Sequence, residues 1–238
     1  MNHVVLLAGG TGQRMRSNIP KQYMEISGIP LFMYSFVKFA NHPQIDDIVI
    51  VVSNEWKPFV EDCISGFSCQ KKVYYSTPGR SRQLSVLNGL NVLASKNIEV
   101  DDLVFIHDSV RPLFPVELID KGIQMLSNCD VVIPVVPFND AIYQRADSCY
   151  LSSTLPRELL CAGQSPEVVK FGSFLMAHKH FSLEELNSVH GSSELALRSG
   201  MKVKLMDGAY QNIKVTTQMD LELIKVMINL SNSNEKNG

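Results

Sequence analysis

Short apolar runs alternate with longer stretches of helical period along this chain. The runs are HVVLLA (3–8), DIVIVVS (47–53), KVYYS (72–76), DLVFIHD (102–108) and DVVIPVV (130–136). β-Branched residues fall on both faces of them, as in strands buried on both sides. Helix candidates lie between. IPLFMYSFVKFA (29–40) carries Pro30, which suits a first helical turn, and EWKPFVEDCI (55–64) follows Asn54, a candidate cap. RSRQLSVLNGLNVLA (80–94) and PVELIDKGIQMLS (115–127) continue the rhythm. It predicts a three-layer α/β/α, Rossmann-like fold with a mainly parallel twisted sheet and right-handed crossovers. Ligands of such sheets bind where strands end, so strand C-termini are the first place to look.

The rhythm breaks after Pro137. Residues 138–163 place Tyr143, Ser148 and Tyr150 around a polar Arg-Ala-Asp turn and read as a hairpin arm. A two-stranded arm is marginal alone, so it is expected to rest on a second subunit, giving a homodimer. PEVVKFGSFLMAHK (166–179) and SSELALRSG (192–200) read as helices, with Gly200 at a C′ position. MKVKLMD (201–207) reads as a strand. TTQMDLELIKVMINL (216–230) reads as a closing amphipathic helix capped by Thr216 or Thr217. The polar stretch 231–238 reads as a disordered tail, leaving one domain over 1–230.

Composition narrows the classes. A chain of 238 residues, 45% hydrophobic, suits one large domain. Its net charge of −2 argues against a nucleic-acid or membrane surface, so an anion site must come from local clustering of cations. Five cysteines without CxxC spacing suggest reduced thiols rather than a disulfide frame or a zinc site. With no signal-peptide pattern and no 18-residue apolar stretch, the expected location is cytoplasmic.

The candidate chemistry starts at the first turn. Gly9-Gly10-Thr11-Gly12 follow the opening strand, then come Arg14, Arg16 and Lys21, and the first acid is Glu25. Glycines let backbone N–H groups approach an anion without a Cβ in the way. Arginine can fork to two phosphate oxygens and lysine adds a point charge. The stretch is neither a P-loop nor a dinucleotide fingerprint, since Met15 stands where the third glycine is needed. A phosphate cradle and a plain tight turn with surface cations both remain open at this point.

LAGGTGQRM (7–15), PKQY (20–23), GRSRQLSVLNGL (79–90), HDSVRP (107–112), GQSP (163–166) and QNIKVTTQMDL (211–221) occur in this order. Together they resemble the cytidylyltransferases that act on 2-C-methylerythritol 4-phosphate or ribitol 5-phosphate. The resemblance spans nearly the whole chain. It implies a nucleotidyltransferase fold and a reaction of CTP with a polyol phosphate, giving a CDP-polyol and pyrophosphate, with Mg²⁺ as cofactor. By that resemblance the backbone from Leu7 through Ala8, Gly9, Gly10, Thr11 and Gly12 wraps CTP. Arg14, Lys21 and Lys214 would stabilise the transition state. Gly79, Arg82 and Ser85 would lie near the nucleoside, with Ser85 bonding the cytosine. Asp108, at a strand's end, would hold Mg²⁺; a turn or capping aspartate is the plain alternative. Arg111, Asp140, Arg157, Ser165 and Lys214 would meet the acceptor, Arg157 by reaching the neighbouring subunit. His107 reads as a packed histidine.

The acceptor half departs from the family. Asp140-Ala141 replaces Asp-Thr, Ser165-Pro166-Glu167 replaces Thr-Pro-Gln, and Gly191-Ser192-Ser193 replaces a Thr-Asp or Ser-Asp pair. Gly9, Val110 and Tyr143 lean toward the ribitol branch, where methylerythritol enzymes usually have Ala, Ala and often Lys. A methylerythritol enzyme, another pentitol or glycerol phosphate acceptor, a different base or sugar phosphate, and a non-catalytic nucleotide-binding relative are the alternatives.

Overall fold

The structure, a computed structural model, describes residues 1–10 and 19–235, with side chains up to residue 230. The first half alternates as expected: β1 (Asn2–Leu7), a small hairpin of β2 (Glu25–Ile26) and β3 (Ile29–Pro30), α1 (Leu31–Asn41), β4 (Asp47–Val51), α2 (Lys57–Ser65), β5 (Lys72–Ser76), α3 (Arg82–Ala94) and β6 (Leu103–Asp108). Then follow α4 (Glu117–Met125), β7 (Val131–Pro137), the arm strands β8 (Ile142–Arg145) and β9 (Leu151–Leu155), β10 (Cys161–Gly163), β11 (Glu167–Lys170) and α5 (Phe171–His180). The chain closes with α6 (Leu183–Ser188), α7 (Ser192–Arg198), β12 (Val203–Asp207) and α8 (Gln218–Glu235).

The main sheet runs β10-β7-β11-β6-β1-β4-β5, with β12 also on β7. β5, β4, β1 and β6 are mutually parallel, as are β7 and β12. Apolar layers cover both faces. One packs Phe32, Phe36, Phe39 and Phe114 against the sheet, and the other packs Leu90, Leu93, Phe174 and Leu195. A smaller cluster seats α8 through Leu221, Ile224 and Ile228. Thr217 caps that helix by accepting from the Asp220 N–H, and the Asp220 carboxylate accepts in return from the N–H groups of Thr216 and Thr217.

The structure corrects one expectation and adds an element the sequence did not announce. EVVK is an antiparallel strand between β6 and β7, not the start of a helix. Val168 and Val169 are both buried, on opposite faces of the sheet. The apolar spacing of Phe171, Phe174 and Leu175 beyond them hid four residues of strand inside a helical period. The β2–β3 hairpin was also unforeseen; Ser27 and Gly28 both take positive φ (52° and 77°), as a two-residue I′ turn needs. At the end of the chain α8 runs to Glu235. The arm is a hairpin as expected, although its last residues, 161–163, return to pair with β7.

Candidate active site

β1 and β6 lie side by side at the centre of the sheet, with Leu7 and Asp108 as register partners at their carboxyl ends. The chain leaves β1 toward β4 on one side and returns to β6 on the other, so the two strands flank the switch point where a ligand crevice forms. A cavity of about 350 Å³ opens there. Leu7, Gly9, Gly10, Lys21, Gly79, Arg82, Ser85, Asp108 and Lys214, all expected site residues, line it. Thr11, Gly12 and Arg14 lie outside the described residues.

The PKQY block shapes the turn after β1 from within. The Gln22 amide donates to the carbonyls of Ala8 and Gly10, at 2.7 Å each, and the Tyr23 hydroxyl donates to Ala8 O at 2.7 Å. Ala8, expected to wrap the ligand, does not line this cavity. Its N–H donates to Val51 O at 2.9 Å and its carbonyl is taken, so its backbone serves the sheet and not a ligand. Gly79 has no room for a side chain: a Cβ there would lie 2.3 Å from Leu84 Cβ and 2.9 Å from Ser85 N. Ser85 anchors this bend by accepting from Gly79 N–H (3.0 Å) and donating to Ser81 O (2.9 Å). A base contact by Ser85 would therefore use its remaining lone pair or replace one of these bonds.

Asp108 is the electrostatic hub. Arg82 Nε donates to Oδ1 at 3.2 Å, Lys214 Nζ to Oδ2 at 2.8 Å, and Arg111 Nε stands 3.8 Å from Oδ2. Burial pushes the Asp108 carboxyl up, but Arg82 and Lys214 outweigh it and hold it well below the usual carboxylate range. Burial likewise opposes the Arg82 charge, and Glu167 and Asp108 overcome that, raising it above its ordinary value. Both groups are therefore ionised at any working pH.

Asp108 is held from behind by a neutral histidine. Its N–H donates to Ser165 Oγ at 3.1 Å, so the Ser165 proton points to His107 Nδ1, 3.1 Å away. His107 then carries its proton on Nε2, which faces Ser35 Oγ (3.2 Å) and Arg111 O (3.3 Å). Burial pushes His107 down to about 3. Ser165, expected at the acceptor, thus commits its hydroxyl to this internal relay.

A second, smaller cavity of about 190 Å³ adjoins the first. Arg82, Asp108 and Lys214 line both, and Arg111, Glu167 and His190 line only the second. Arg111 is fixed by Nη1 donating to Asn212 O at 2.7 Å. Asp140 and Arg157 sit exposed on the arm and line neither cavity; Arg157 Nη1 donates to Asn139 O at 2.7 Å. Glu167 and Ser192, two of the departures from the family pattern, both reach Arg82, at 3.3 and 2.9 Å. Their joint departure from the family pattern was the available signal.

Among the described residues no three His, Cys, Asp or Glu side chains gather as a metal cage. Asp108 fits a divalent ion only in company. Mg²⁺ accepts one or two carboxylates when phosphate oxygens and waters supply the rest, and Lys214 would have to turn from Asp108 to those phosphates.

A switch-point crevice with a glycine turn, converging cations and one buried carboxylate, on this sheet order, defines a nucleotidyltransferase of the α/β class. The sequence matches the family described as IspD, 2-C-methyl-D-erythritol 4-phosphate cytidylyltransferase, over residues 2–229. The chain belongs to that family and is a CTP-utilising nucleotidyltransferase. A ribitol-5-phosphate cytidylyltransferase of Streptococcus pneumoniae is 31% identical over 232 residues, covering 96% of this chain and 99% of that protein. Among solved structures, the 2-C-methyl-D-erythritol 4-phosphate cytidylyltransferase of Francisella tularensis is similar with a TM-score of 0.77 at 26% identity, over 94% of this chain and 97% of its own. A 4-diphosphocytidyl-2C-methyl-D-erythritol synthase from Anaerococcus prevotii shares the fold, with a TM-score of 0.79, 24% identity and 96% of each chain covered. No helix among the described residues is long and apolar enough to cross a membrane.

Proposed function

We propose that this enzyme transfers the cytidylyl group of CTP to D-ribitol 5-phosphate, giving CDP-ribitol and pyrophosphate. The observation that carries this reading is the pair of adjoining cavities sharing Arg82, Asp108 and Lys214. In it the larger cavity takes CTP, and the smaller takes the acceptor phosphate. An acceptor phosphate oxygen attacks the α-phosphorus, the bond to the β-phosphate oxygen breaks, and pyrophosphate leaves with that electron pair. The attacking oxygen is already ionised, so no general base is needed. Positioning and charge stabilisation carry the rate. Lys21, with Arg14, neutralises the triphosphate. Lys214, which lines both cavities, would meet the α-phosphate and the acceptor phosphate, and Arg111 would hold the latter. Asp108 would hold Mg²⁺, which would supply charge neutralisation for the leaving pyrophosphate.

The choice of ribitol over methylerythritol phosphate rests on the pneumococcal relative's similarity and on Gly9, Val110 and Tyr143. Gly9 has a structural correlate: a Cβ there would lie 2.5 Å from Pro78 Cβ, so the alanine common in methylerythritol enzymes does not fit against this Pro78. We also infer a homodimer through the 138–163 arm, which carries Asp140 and Arg157 toward the partner's acceptor. Exposed Tyr150, Leu151 and Leu159 on the arm support it, since apolar side chains there need a cover. The expected location remains cytoplasmic. Pyrophosphate release from CTP with D-ribitol 5-phosphate, 2-C-methylerythritol 4-phosphate and glycerol 3-phosphate, side by side, tests the function. Preference for ribitol 5-phosphate is expected; preference for methylerythritol phosphate replaces the reading with the alternative.

A further inference from the structure

Glu167 opens β11 and lies two register positions from Asp108 on the neighbouring strand, opposite Ile106. It is 5% exposed, yet it lines the smaller cavity. Among the described residues its one hydrogen bond comes from Arg82 Nη2 at 3.3 Å. A carboxylate has about four acceptor positions, and the Glu167 oxygens are not sealed partnerless atoms, so the capacity that Arg82 leaves is accessible. The unmet capacity therefore faces a cavity that is shared with three cations, Arg82, Arg111 and Lys214. Cations suit a phosphate, whereas an acceptor-only carboxylate repels one and takes hydroxyl donors. Two of the neighbouring hydroxyls are already engaged. Ser165 bonds Asp108 and His107, and Ser192 accepts from Arg82 Nη1 at 2.9 Å.

We propose that Glu167 is a specificity-determining residue for the acceptor: its carboxylate accepts hydrogen bonds from the polyol hydroxyls and, through the same group, positions Arg82 at the junction of the two cavities. The proposal rests on the cytidylyltransferase reading above. It assigns the two ends of the acceptor to different chemistry. The phosphate meets Lys214 and Arg111, and the hydroxyl chain meets Glu167. An acceptor with more hydroxyls gains more from this arrangement than a short one.

The test is an acceptor panel on Glu167→Gln, with KM and kcat measured separately for CTP and for each polyol phosphate. Gln keeps the size but turns half of the group into a donor and removes its charge. The KM for ribitol 5-phosphate should rise by about tenfold or more, the loss typical of a charge-assisted hydrogen bond. The KM for CTP should stay within about threefold, because Asp108 and Ser192 still hold Arg82. Glycerol 3-phosphate, with fewer hydroxyls, should be penalised less, so the preference between the two narrows. Ser192→Ala, which loosens Arg82 and leaves the carboxylate, should keep that preference. An unchanged acceptor KM and preference in Glu167→Gln overturns the proposal while leaving the reading intact. If Glu167→Gln fails to bind CTP in calorimetry, the panel is run on Glu167→Asp, and unchanged acceptor preference there overturns it equally. A wild-type enzyme that releases no pyrophosphate with any polyol phosphate overturns the reading and this proposal with it.

Discussion

Asp108 faces three basic side chains and can satisfy all of them only while no phosphate is present. Its partners Arg82 and Lys214 also line the cavity where a triphosphate would lie, so a ligand competes with Asp108 for them. Lys214 is the more exposed of the two and is held by one bond, which makes it the natural group to turn. Removing a cation aimed at developing phosphate charge should be felt mainly in kcat. Lys214→Ala is expected to lower kcat by roughly 100-fold or more, and Lys21→Ala by a similar factor. Steady-state kinetics with unchanged thermal unfolding would separate this from misfolding, and near-wild-type turnover would remove either lysine from its role. Asp108→Asn tests the metal proposal. It should weaken Mg²⁺ activation, seen as a higher Mg²⁺ concentration for half-maximal rate; an unaltered titration would count against Asp108 as ligand.

At the scale of elements, the bend between β5 and α3 shapes the larger cavity, the one proposed for CTP. Gly79 packs against the backbone of Ser85 in the first turns of α3, and neither neighbour can retreat without unwinding that helix. Gly79→Ala should therefore destabilise the protein by about 1–3 kcal/mol, as overpacked sites do, and raise the KM for CTP. Urea unfolding and initial rates check the two effects together, and a stable variant with ordinary CTP kinetics would show the bend to be plastic. β11 matters for a different reason. As an antiparallel strand between β6 and β7 it sets Glu167 opposite Ile106, two register positions from Asp108, so that both line the smaller cavity. The arm is the opposite kind of element, two short strands with every residue of β9 exposed. A homodimer is expected in sedimentation at assay concentrations, and deletion of residues 142–155 should yield a monomer. A full-length chain that sediments only as a monomer would end that proposal.

For the molecule as a whole, two buried histidines tie stability to pH. Burial pushes His107 down to about 3 and His178 down to about 4, both from about 6.5 in an unfolded chain. Both stay neutral in the fold. His178 sits between Phe174 O and the Gln83 side chain, where a turned Gln83 amide would donate to a neutral ring. Below pH 6.5 the unfolded state takes up protons that the folded state refuses. Stability is therefore complete above that pH and falls as pH drops toward 4 and then 3. The loss between pH 7.5 and 5 should be on the order of 2 kcal/mol for each histidine. Urea midpoints across that range measure it, and His178→Gln should flatten its share of the slope. A flat profile in the wild type would mean that the rings protonate within the fold.

Much of this molecule was legible in its residues, for physical reasons that differ from place to place. The strands buried on both faces announced themselves as β-branched runs, and DLVFIHD delivered Asp108 to a strand end with no further information. The glycine turn and Lys21 stood out as small residues and cations in close local order, as a phosphate site would need, whereas Lys214 was singled out by the family resemblance. Pairings across distance were not legible. Glu167 and Ser192 stand 85 and 110 residues from Arg82, and only the placing of β11 and α7 around α3 makes them its acceptors. Likewise the His107–Ser165–Asp108 relay joins positions 57 and 58 residues apart. By itself the chain determined its alternation of elements, the glycine-rich turn after its first strand and its family, because these depend on local spacing and short-range sterics. Tertiary structure alone decided which cation meets which carboxylate, and hence how one buried charge came to sit between two cavities, because ion pairs form wherever the fold brings charges within a few ångströms.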